Sequence, residues 1–253
     1  MVFKPWTERA PRHTFEDITD QLVSQPLPKI QLNLATQISG TTIIIPNTLS
    51  FINDSLLKLF PENTKIGTVS IYKFLTKNDE NQDEYLEDEQ LYKSQKQDQL
   101  IEEFDQELYI YKLNNELNLL LVPNFQNVIY YNLISKEILS KTTDILTITP
   151  GNLSFDQSIA ILGSSYPDTK FPYLQPPFHI TGISGSLLSK SSKVKGLILK
   201  SEGVSGFEKI DKESIENLSY YLQKQFKFNE EFLKFIRNSL KNHNSSNNFG
   251  LYL

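Results

Sequence analysis

Several short runs of this chain are apolar without a break, and that feature restricts its fold more than any other. Thr41-Thr42-Ile43-Ile44-Ile45 is β-branched throughout and stops at Pro46. Successive side chains of a strand point to opposite sides, so a strand with no polar alternate must be buried on both faces. Ser158–Gly163 and Val194–Leu199 read in the same way, and Asp144–Thr149 is a further strand that stops at Pro150-Gly151. Leu108–Leu113 and Leu117–Val122 flank Asn114-Asn115-Glu116 as the two arms of a hairpin. Ile66–Phe74 instead alternates apolar with polar residues, as a strand with one wet face should.

Helical patterns fall between and after these runs. Asn124 is positioned to cap a helix that carries Phe125, Val128, Ile129, Leu133 and Ile134 and ends near Lys141. Ile215, Leu218, Leu222 and Phe226 keep helical spacing, as do Phe232, Phe235, Ile236 and Leu240, which gives two amphipathic helices broken near Asn229. Strands alternating with helices require an α/β fold, a three-layer α/β/α sandwich around a mixed sheet. No internal repeat is visible.

Charge is distributed unevenly. Residues 78–107 hold 12 Asp/Glu against Lys93 and Lys96, a net −10, while the remainder carries 18 acids and 23 Lys/Arg, a net +5. A polar acidic stretch of this kind buries too little apolar surface to offset its ordering entropy. The reading is therefore one α/β domain over residues 1–244, with a largely disordered acidic insert at 78–107, and a flexible tail at 245–253. The chain has no Cys, so disulfides and thiolate metal sites are excluded. No apolar run approaches the ~20 residues of a membrane span, and the opening residues lack a signal-peptide pattern. The expectation is a soluble intracellular protein that binds neither membrane nor nucleic acid, because the lysines form no evident basic stripe.

Three groups of residues were candidates for chemistry. Leu174–Leu188 places Gly182, Ser184, Gly185 and Ser186 at the start of a helix, where backbone N–H groups can cradle a phosphate. The spacing matches neither a dinucleotide fingerprint nor a phosphate loop, and close helix–sheet packing through the two glycines is the favoured reading. Ser184 and Ser186 also lack the Gly-x-Ser-x-Gly elbow. Glu202 and Glu208 offer two carboxylates on a glycine-hinged loop, for which a turn is the default reading. His13, His179 and His243 show no ligand spacing, so no metal and no cofactor is expected.

The ends of the chain carry the remaining signals. Phe3 and Trp6 are large apolar groups beside Pro5, either a core anchor or a contact with a partner. At the other end, Asn242–Asn248 is polar, yet Leu251-Tyr252-Leu253 closes the chain with three apolar groups beside a terminal carboxylate. Such a tip suits capture by another protein's pocket, and it suits equally well a fold-back onto the chain's own core.

Three segments together, Leu174–Leu188, Ser201–Lys209 and Gly250–Leu253, with the opening Met1–Trp6, resemble the first subunit of the fungal heterodimeric proteasome assembly chaperone. The resemblance runs from end to end, is strongest in the last third and fades across 77–107. It implies an α/β/α sandwich of the nucleoside-phosphorylase type without that enzyme's activity, in the cytoplasm and nucleus. It also implies a homologous second subunit, with a surface assigned here to Phe178, Gly182 and Gly185, and docking on the proteasome α-ring. Leu251, Tyr252 and Leu253 match the family's hydrophobic-tyrosine-any motif, which enters a pocket between neighbouring α-subunits, the fifth and sixth by this resemblance. Phe3 and Trp6 are a second candidate contact with the ring. The competing class is a phosphorylase- or hydrolase-like enzyme that uses the Gly182–Gly185 loop.

Overall fold

The computed structural model describes residues 27–34, 38–76, 100–142, 144–154, 156–163, 171–203, 206 and 208–247. Nine strands occur in the order β1 (Lys29–Leu34), β2 (Thr41–Pro46), β3 (Thr64–Thr76), β4 (Leu100–Lys112), β5 (Leu117–Val122), β6 (Asp144–Gly151), β7 (Ile159–Leu162), β8 (Val194–Glu202) and β9 (Lys209–Ile210). Helix α1 (Ser50–Leu59) follows β2, α2 (Ile129–Lys141) follows β5, and α3 (Gly182–Lys190) precedes β8. Helices α4 (Lys212–Phe226) and α5 (Glu231–Asn247) close the chain. The strand order is β1-β3-β4-β5-β2-β6-β8-β7, with β9 paired to β8. Two compact units are distinguishable, residues 1–29 with 71–106, and residues 30–70 with 107–253.

In the larger unit the sheet is mixed, as the sequence requires. Strands β5, β2, β6 and β8 run parallel, and β4 and β7 flank them antiparallel. Ile43, Ile44 and Ile45 are all fully buried because β2 lies at the centre of this set. Ile43 and Ile45, with Leu146, Ile148, Leu197 and Leu199, join a core completed by α1, α4 and α5. The opposite face takes α3, which packs on β2, β6 and β8, with α2 packed against α3. Gly196 of β8 permits that approach, since a Cβ there would lie 3.0 Å from Leu188 Cδ1.

At the N-terminal edge of the parallel set, Asp144 accepts a hydrogen bond from Thr41 Oγ1 of β2 and lies 3.7 Å from Lys195 Nζ of β8. Three neighbouring parallel strands are thus tied by one carboxylate.

The structure corrects the expected boundaries in three places. Strand β4 begins at Leu100, so residues 100–107, counted in the acidic insert, are strand, and 78–99 lie outside the described residues. Its acids have cross-strand partners: Glu102 lies 2.8 Å from Lys29, and Glu103 3.4 Å and Asp105 3.8 Å from Lys73. Such exposed pairs contribute roughly 0–1 kcal/mol each, enough to make an acidic strand tolerable. Helix α2 starts at Ile129, where Asn127 Oδ1, not Asn124, accepts the Ile129 N–H at 3.0 Å. Helix α5 continues to Asn247, so residues 245–247, read as tail, are helical, because extending an existing helix adds one hydrogen bond per residue fixed. The break before it falls at Lys227–Glu230 as expected, with Asn229 Oδ1 accepting the Glu231 N–H at 3.3 Å.

Tyr221 of α4 is 6% exposed, and burial, with the nearby Asp144 charge, pushes its hydroxyl up to about 12. A tyrosine whose folded value exceeds its unfolded one contributes stability that is complete below pH ~10 and is lost as pH rises towards 12. The ceiling is roughly 3 kcal/mol at ~1.4 kcal/mol per unit, and solvent screening leaves about half of it. Urea unfolding at pH 9 and pH 11.5 should show the parent losing about 1–2 kcal/mol more than Tyr221→Phe.

Candidate functional site

Ligands of open α/β sheets bind beyond the carboxyl ends of the parallel strands, and the described residues form a cleft of about 670 Å3 there. Its walls come from Pro150-Gly151 of β6, Ser201 and Glu202 of β8, the Pro177–Thr181 approach to α3, and Glu208. Phe178 is half-buried on this wall, its N–H donating to Gln175 O at 3.2 Å, while Pro176, Pro177 and His179 are exposed. A smaller cavity of about 70 Å3 adjoins the start of α3, between Pro46, Thr149, Gly182 and Tyr131.

The two glycines of the motif do different work, and neither packs on the sheet as expected. Gly182 opens α3 at φ +66° with no atom within 4 Å of a would-be Cβ, so a left-handed backbone is what it supplies. Gly185 faces the Ile180 carbonyl, which a Cβ would approach to 2.5 Å. The close helix–sheet approach belongs to Gly196 instead.

Both serines are committed to structure. Thr147 Oγ1 donates to Ile44 O at 3.3 Å, so the Ser184 hydroxyl donates to Thr147 Oγ1 across 2.5 Å. Ser184 is 1% exposed at the edge of the small cavity, its hydroxyl engaged with Thr147. Ser186 Oγ donates to Tyr131 O at 3.2 Å and so joins α3 to α2. Lys190 adds a bond to Asn132 O at 2.5 Å, and burial, then Lys136, holds its ammonium below the usual lysine value.

The structure does bring Glu202 and Glu208 to one cleft, but the described lining carries neither Lys nor Arg. Glu208 Oε2 accepts the Gly206 N–H at 2.9 Å, a bond that shapes the turn. Two carboxylates without a cation repel a phosphate, so the N–H groups of α3 face an unfavourable field. No group of three or more metal-ligating side chains occurs among the described residues.

Phe3, Trp6, Leu251, Tyr252 and Leu253 lie outside the described residues. One feature was missed by sequence reading. Lys234, Arg237 and Lys241 of α5, with Lys212 of α4, line a groove of about 590 Å3. The i, i+3, i+7 spacing on α5 was the available signal, while Lys212 joins only through the fold.

A substitution pair separates the glycine roles. Gly185→Ala should cost about 1–3 kcal/mol in urea unfolding through overpacking, whereas Gly182→Asn, with αL tolerated, should cost under about 1 kcal/mol.

The comparisons with known proteins agree with this architecture. A family model described as POC1 chaperone matches residues 1–253. Proteasome chaperone 1 of Saccharomyces cerevisiae (strain ATCC 204508 / S288c) is 27% identical over 240 residues, 83% of each chain. The crystal structure of Pyrococcus furiosus PbaA, an archaeal homolog of proteasome-assembly chaperone, superposes with a TM-score of 0.52 at 18% identity, covering 86% of this chain and 92% of that one. That last likeness shows the fold.

Proposed function

This chain belongs to the POC1 chaperone family, and on that premise we propose that it is a non-enzymatic proteasome assembly chaperone subunit. In this reading it pairs with a homologous second subunit and binds the α-ring of the core particle through Leu251-Tyr252-Leu253. It promotes ring assembly and keeps regulators from occupying the same pockets early, in the cytoplasm and nucleus. The pocket between the fifth and sixth α-subunits is the proposed receiver. The observation that carries the reading is the family match over residues 1–253; the tail's part in it is proposed because Leu251-Tyr252-Leu253 fits the hydrophobic-tyrosine-any pattern by resemblance.

Physical chemistry supports the division of labour. A short tail binds weakly alone, but two tails on one heterodimer act at high effective concentration, a gain of ~10²–10⁴ when both reach. The second-subunit surface is proposed around Phe178 and the exposed Pro176-Pro177 approach, with Gly182 at its edge; Gly185, facing Ile180, supports that surface from within. Phe3 and Trp6 are proposed as a second ring contact. The enzyme alternative gains nothing from a buried Ser184 and an acidic cleft.

Tyr252→Ala should weaken binding to isolated α-rings by roughly 30-fold or more, since truncating an interface aromatic commonly costs ~2–4 kcal/mol. Tyr252→Phe should lose less, and residues appended after Leu253 should impair docking with Tyr252 present. Unchanged affinity in the Tyr252→Ala and extended chains would show that the tail is not the docking element.

A further inference from the structure

We propose that the groove between α4 and α5 is an electrostatic docking surface for an acidic patch on the protein that captures the tail; this rests on the tail-docking reading above. Helix α5 has two distinct stripes. Phe232, Ile236 and Leu240 are buried against the core, while Lys234, Arg237 and Lys241 follow one another along the outer side, joined by Lys212. Lys212 and Arg237 have side chains 76% and 45% exposed.

Among the described residues, no Asp or Glu lines the groove. Glu216 approaches it, 2.7 Å from Arg237 and 3.9 Å from Lys212. One carboxylate shared by two cations leaves positive charge in excess even before Lys234 is counted. The Arg237–Glu216 bond holds the guanidinium beside α4, on the same side as Lys212. Leu240, 6% exposed, forms an apolar floor. A basic rim over an apolar floor fits a carboxylate-bearing protein surface.

The position of the groove selects the occupant. Helix α5 ends at Asn247. Lys241 lies six residues earlier, about 9 Å at 1.5 Å per residue, and six residues reach from Asn247 to Leu253, at most about 20 Å of extended chain. A protein that holds Leu253 therefore has surface within roughly 30 Å of the groove, close enough for that surface to fold over α5. Complementary charge in that range accelerates encounter by ~10–10³-fold at low ionic strength and fades once the Debye length falls to ~8 Å.

The test measures association and dissociation rates on immobilised α-rings at 25 mM and 300 mM salt. The chains are the parent, Lys234→Glu, the triple variant Lys212→Gln/Lys234→Gln/Lys241→Gln, and a chain lacking the last three residues. The groove variants should associate about 5–20-fold more slowly at low salt, lose most of the parent's salt dependence and dissociate at nearly the parent's rate. The truncated chain should instead dissociate faster and keep its salt dependence.

Groove variants with the parent's association rate and salt slope would overturn the proposal while leaving the tail reading intact. A truncated chain that binds as well as the parent would remove the tail reading and, with it, the argument that selects the occupant, so the proposal would fall by a result distinct from unchanged groove variants. If the triple variant changes only the self-association of the isolated chain in sedimentation, the occupant is a second copy and the proposal fails.

Discussion

Strand β2 has hydrogen-bonded neighbours on both edges and helices over both faces. Ile43 and Ile45 enter one layer and Ile44 the other, and each buried isoleucine contributes roughly 1.5–3 kcal/mol. A one-residue slip would exchange the two sets and present Thr42 to the larger core, so the register is enforced by packing as well as by the ladder. The rest of the larger unit follows from this arrangement. Helices α1, α4 and α5 exist as amphipathic elements because one face of β2 and its neighbours must be covered, and α3 has to come close enough to cover the other. That closeness explains Gly196 under Leu188 and the Ser184–Thr147 bond.

The apolar runs were legible because burial on both faces leaves a composition no other element shares. Residues 41–45, 117–122, 144–149, 158–163 and 194–199 are all strand or within a residue of one. What misled was charge. Glu102, Glu103 and Asp105 look like solvated loop in one dimension, yet each has a lysine beside it on another stretch of chain. The polar end of α5 misled for the converse reason. Asn and Ser form poor helices alone, but they continue one that Phe232, Ile236 and Leu240 already hold to the core.

The candidate site was legible only in part. Sequence singled out Gly182, Gly185 and Ser184 in one segment and Glu202 and Glu208 in another, but their meeting at one end of the sheet and their roles depend on the fold and on direction, which spacing does not record. The Ile180 carbonyl that excludes a side chain from position 185 and the Ile44 carbonyl that fixes the Thr147 proton are backbone atoms with no signature in composition. The cleft that results carries two carboxylates, and Ser184 and Ser186 beside it hold α3 to β6 and to α2.

Asp144 sits at the opposite edge of the sheet from that cleft, and its grip on Thr41 and Lys195 has an evolutionary consequence. It adds to the alignment that packing and the ladder already impose on β2, β6 and β8, and it does so where those strands begin, away from the loops that follow them. Substitutions in the 176–181 segment, which belongs to no strand, leave the pairing of β2, β6 and β8 untouched. A scaffold anchored at one margin in this way can change the surface at its other end through small steps, each of which leaves a foldable protein.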